Sequence, residues 1–232
     1  MLELCTRKDK NRIPIASAEM LDRYASGILV EFQSNILRQQ RAVDIFRLAT
    51  TYFKVKIRKK TLTPDYSVLA MTTMEPIRVK IFDSTQGWVD IDLPERTILV
   101  DESLYEPGQE ARLHFVIAHE LGHIACHKNV HFNTMKAKDV PEDTDKLDVQ
   151  DTEDKVISWA EWQADYMAGA LLMPKTPFCN AFQSYVGDGR EMEPMTEQRI
   201  AELAANLARD FHVSRQAAYI RMYKLDLVSL VA

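Results

Sequence analysis

The sequence predicts an α+β fold in which helices flank a small antiparallel sheet. Three observations carry this. Apolar residues recur at helical spacing near the start of the chain, as in Met20, Leu21, Tyr24, Ile28 and Phe32, and again through its second half. Between those stretches the pattern switches to period two, in Val55-Lys56-Ile57, Ile77-Arg78-Val79-Lys80-Ile81 and Val89-Asp90-Ile91-Asp92-Leu93. Turn signals at Thr63-Pro64-Asp65, Glu75-Pro76 and Gln86-Gly87 separate these runs.

In order, residues 17–37 read as a first helix and residues 42–53 as a second. Residues 67–73 and 97–100, rich in β-formers, join the three alternating runs as four or five strands of one antiparallel sheet. After Pro107-Gly108, Leu113, Val116, Ile117, Leu121 and Ile124 form one helical stripe. Residues 129–154 lack periodicity, and residues 139–154 hold eight acidic residues against one lysine, the composition of a solvated loop. A long helix runs from Val156 to Leu172 and stops at Pro174. Further helices are expected over residues 177–186, 196–210 and 214–225. This divides the chain into a main domain, residues 1–175, and a C-terminal helical subdomain, residues 176–232.

At 232 residues the chain can bury a core without covalent staples. Hydrophobic residues make up 46% and charged residues 27%, which excludes a disordered or collagen-like chain. The net charge of −5 argues against a surface devoted to nucleic acid or membrane. Cys5, Cys126 and Cys179 are odd in number and form no CxxC pair, so neither a disulfide framework nor a thiolate zinc site is suggested. With no secretory signal or apolar run long enough to span a bilayer, a cytoplasmic protein is expected.

The chemistry is concentrated in His119-Glu120-Leu121-Gly122-His123. On a helix, residues four apart share a face about 6 Å apart along the axis. Two imidazoles so placed can bind one zinc ion, and Glu120 sits where it can take a proton from water. Catalytic zinc takes three protein ligands and keeps one position open. His127 lies about 12 Å along the axis from His119, too far to share the ion, and reads with His131 as a solvated or supporting histidine. The better third ligand is Glu161 in Glu161-Trp162-Gln163-Ala164-Asp165, with Asp165 one turn on as acceptor for a ligand histidine's other N–H. The alternative is two exposed helix carboxylates.

HELGH followed by EWQADYMAGALLMP resembles the ImmA/IrrE family of bacterial metallopeptidases. Glu161, Ala164, Asp165, Ala168, Leu171, Leu172, Met173 and Pro174 occupy matching positions. Gln163 stands where that family often has glutamate, and Asp165 where it often has asparagine. The resemblance implies a zincin-like fold and a zinc endopeptidase with a His-His-Glu site: His119, His123 and Glu161 on the metal, Glu120 as general base, Asp165 supporting a histidine. It also implies a protein substrate, a helix-turn-helix repressor of a mobile element or stress regulon. Tyr105, Arg112 and His127 are the sequence-near candidates for stabilising an oxyanion.

Residues 207–221 resemble a helix-turn-helix, with Ser214 as N-cap and Arg215, Arg221 and Lys224 as candidate phosphate contacts. Against a net acidic chain, a scaffold or substrate-docking role is the favoured reading of this segment and DNA binding the lesser one. The competing function is a DNA-binding or antitoxin-like regulator with a structural zinc; Glu120 argues against it, since a structural site has no use for a general base.

Overall fold

The computed structural model describes residues 2–128, 152–187 and 195–228. Helix α1 (Ala18–Phe32) starts at Ser17, whose hydroxyl accepts from the Met20 N–H, and buries the expected stripe through Leu21, Tyr24, Ala25, Ile28 and Leu29. The second helix is shorter and less regular than residues 42–53 suggested. Helix α2 (Ile45–Arg47), capped by Asp44, widens into a π-helical turn over Leu48–Tyr52. The hydroxyls of Thr50 and Thr51 donate back to the carbonyls of Phe46 and Arg47. Such bonds compete with the ordinary helical ladder.

The strands are β1 (Lys56–Lys60), β2 (Ala70–Thr73), β3 (Ile77–Asp83), β4 (Gly87–Leu93) and β5 (Thr97–Asp101). They do not form the single antiparallel sheet expected. One sheet has the order β1-β5-β2, with β1 parallel and β2 antiparallel to β5. The other is the β3–β4 hairpin. Alternation marks a strand without naming its partner, and a parallel pair needs a long crossover. Residues 61–96 supply that crossover and contain β2, β3 and β4. The hairpin closes on itself through Asp83, whose carboxylate accepts from the N–H groups of Thr85 and Gln86, and through Gly87 at φ +76°. Central β5 faces both ways: Ile98 and Val100 enter the main core, while Leu99 joins Met71, Val79, Ile81 and Leu93 beneath the hairpin.

Helices α3 (Glu110–Cys126) and α4 (Thr152–Leu172) pack along one another, and α4 also rests on α1. Gly122 permits the close approach: a Cβ there would stand 2.8 Å from the Ala164 carbonyl oxygen and 3.0 Å from its Cα. Of the acidic stretch, residues 139–151 lie outside the described residues, as does His131; residues 152–154 open α4. Among the described residues no helix is long and apolar enough to cross a membrane.

Helix α5 (Lys175–Val186) follows Pro174, and α6 (Glu197–Phe211) and α7 (Arg215–Lys224) are capped by Thr196 and Ser214. His212, left-handed at φ +53°, turns the chain between the last two. Leu203, Leu207, Phe211, Ala218 and Met222 share one buried cluster with α1, α3 and α4. Arg221, expected as a phosphate contact, is 2% exposed. Its guanidinium pairs with buried Asp22, donates to the Met173 carbonyl and lies over the Tyr166 ring, whose hydroxyl donates to the same Asp22. A buried carboxylate demands a charged partner more strongly than solvent demands the arginine.

Candidate metal centre

Helix α3 presents His119 and His123 one turn apart, and α4 brings Glu161 against them. The two Nε2 atoms are 3.0 Å apart. Glu161 Oε2 lies 3.2 Å from His119 Nε2, and Oε1 lies 3.5 Å from His123 Nε2. The three ligand atoms all fall within 4.8 Å of one another. Two imidazole nitrogens and a carboxylate converging on one point could hold a divalent metal ion.

The electrostatics fit a cation. Burial alone would depress the His119 imidazole, but hydrogen bonds to Asp165 and Glu161 outweigh it and hold its pKa up at about 10. Burial likewise works to raise Glu161, yet the two histidines hold its carboxyl well below the usual range. Glu120 is 8% exposed, and burial raises its pKa against the pull of His123 and His119. A carboxylate so placed is a better proton acceptor than one in water.

Asp165 accepts from His119 Nδ1 at 2.8 Å, which leaves Nε2 to face Glu161. His127 follows the last turn of α3 and is fully buried. Burial pushes its pKa down to about 3, so its ring is neutral. It touches His123 Nδ1 at 3.1 Å and Gln163 Oε1 at 2.9 Å, which rules it out as an oxyanion donor to substrate. Tyr105 instead packs beneath the Lys59 ammonium of β1, and Arg112 is solvent-exposed on α3.

Two further residues belong to this neighbourhood. Gln163 is fully buried and donates to the Pro14 carbonyl. The Lys224 ammonium lies 5.5 Å from the Tyr166 ring centre; desolvation lowers its pKa while nearby Asp165 opposes the shift. A polar residue between Glu161 and Asp165 was the available signal for Gln163. Lys224 was read from the sequence as a phosphate contact, and nothing local pointed to its place near Asp165.

The family described as the IrrE N-terminal-like domain, Peptidase_M78, matches residues 75–223 of the chain. That span runs from β3 into α7 and holds every residue of the His-His-Glu cluster. A search of curated proteins found no match.

Proposed function

The chain belongs to the Peptidase_M78 family, and on that premise we propose that it is a zinc-dependent endopeptidase that cuts a protein substrate. The observation that carries the reading is the convergence of His119, His123 and Glu161 from two helices beside buried Glu120. The donor set and the charges around it suit zinc, with His119, His123 and Glu161 as the residues that would hold it. When bound, the ion supplies Lewis-acid activation of water and of the scissile carbonyl. Glu120 takes the proton of the attacking water on a carboxylate oxygen and returns it to the departing amide nitrogen. Asp165 keeps the His119 proton on Nδ1 throughout.

Strand β2 is one of the two edge strands of its sheet and packs against α3. We assign it the task of holding an extended substrate segment by strand addition. The resemblance read from the motif supports a helix-turn-helix repressor as that substrate, whose cleavage lifts repression. We assign helices α6 and α7, joined at His212, to docking the substrate. DNA binding is disfavoured by Arg221, since its guanidinium is committed to Asp22. Free cysteines suit the cytoplasm as the site of action.

The test pairs metal analysis with cleavage of a candidate repressor followed by mass spectrometry. Wild type should hold one zinc and cut. Glu120→Gln should keep the zinc and lose ~10²–10⁴-fold in turnover. Glu161→Ala should retain metal more weakly by a factor of about ten or more, with two strong ligands left. Undiminished cleavage by Glu120→Gln would remove the proposed base, and full occupancy in Glu161→Ala would remove the proposed ligand.

A further inference from the structure

His123 Nδ1 and His127 Nδ1 face each other at 3.1 Å. Two like ring nitrogens bond only when one carries a proton and the other a lone pair. The next link decides which. Gln163 approaches the Pro14 carbonyl oxygen at 2.6 Å. A carbonyl oxygen can only accept, so that end of the amide is the NH2 group. The other end, 2.9 Å from His127 Nε2, is then the amide oxygen, which also only accepts. His127 therefore carries its proton on Nε2 and offers its lone pair at Nδ1. The shared proton belongs to His123 Nδ1. The His123 Nε2 lone pair is left facing Glu161 and His119.

We infer that Gln163 and His127 are positioning residues that fix His123 in its metal-binding tautomer, through a buried relay anchored on the Pro14 backbone carbonyl. The relay rests on reading the cluster as a metal centre. Its members are shielded from water: His127 and Gln163 are 0% exposed and His123 4%. No solvent molecule is needed to choose the tautomer. The anchor is itself built in. Pro14 bridges to Lys8, and the Asp9 carboxylate accepts from the N–H groups of Asn11 and Ile13. This small turn holds the carbonyl over α4.

The experiment uses the full chain with 15N-labelled histidine and zinc as the probe. Long-range 1H–15N spectra report which nitrogen of each ring is protonated. The wild type should show His127 protonated on Nε2 and His123 on Nδ1. Gln163→Leu, of similar size, removes the acceptor. It should release His127 from that tautomer and weaken zinc binding about 10–100-fold in a competition titration. Should this variant fail to fold, the wild-type spectrum still decides, because a His127 proton on Nδ1 overturns the relay. Zinc binding by Gln163→Leu at wild-type affinity overturns it as well, as does weakened binding with the His127 tautomer unchanged. A wild type that binds no zinc, with the expected tautomers in place, defeats the metal-centre reading instead and leaves the hydrogen-bond relay standing.

Discussion

His119 and His123 stand one turn apart on α3 and are held by opposite means. His119 leans on the Asp165 carboxylate, and both side chains keep partial contact with solvent, 20% and 25% exposed. His123, at 5%, leans on neutral His127 and, through it, on neutral Gln163. A carboxylate raises the basicity of its histidine and tolerates its own charge where water reaches it. Deeper in, another carboxylate would need a charged partner of its own. An amide fixes the tautomer there without adding charge. In this pair, burial goes with the kind of support each histidine receives.

The comparison can be broken most sharply by removing both supports. Asp165→Ala combined with Gln163→Leu should weaken zinc binding by ~10²–10⁴-fold, because the two act on different rings. A competition titration in which the pair loses no more than the worse single variant would show one shared support. Asp165→Ala alone should cost about 10–100-fold in the same titration. Gly122→Ala tests what both supports depend on, the approach of α3 to α4. Its Cβ would meet backbone atoms of Ala164, an overpacking of ~1–3 kcal/mol. Scanning calorimetry should register that as a fall of about 3–10 °C in Tm. The smallest effect is reserved for Asp165→Asn. Its amide oxygen still accepts from His119 Nδ1, so zinc affinity should fall by less than about tenfold. A loss as large as that of Asp165→Ala would mean that the charge itself is what His119 needs.

Much of the centre was legible because it is local. His119 and His123 are four residues apart, as are Glu161 and Asp165, and helical periodicity puts each pair on one face. The helix start at Ser214 was equally legible from its capping hydroxyl. What depended on distant partners was not. Gln163 bonds to a carbonyl 149 positions away, and no spacing rule reaches that far. Arg221 was read as a surface cation because arginines usually are; its partner Asp22 lies 199 residues earlier. The strands could be read one by one from alternation, but not their division into two sheets. That division depends on whether residues 61–96 fold back on themselves or cross over. The π-helical turn at Leu48–Tyr52 also escaped, since two adjacent threonines bend a helix only through the carbonyls they happen to reach.

The Asp22–Arg221 pair has a consequence for the order in which the protein is made. A chain growing on the ribosome presents both histidines, Glu120 and Glu161 long before residue 221 is added. Until then the Asp22 carboxylate has no guanidinium to meet, and Tyr166, one residue after Asp165, has neither that cation over its ring nor the ion pair beside its hydroxyl. Leaving a buried charge uncompensated costs about 3–5 kcal/mol, a large part of the stability of a typical domain. The interior beside α4 therefore closes only after residue 221 has been added and has met Asp22.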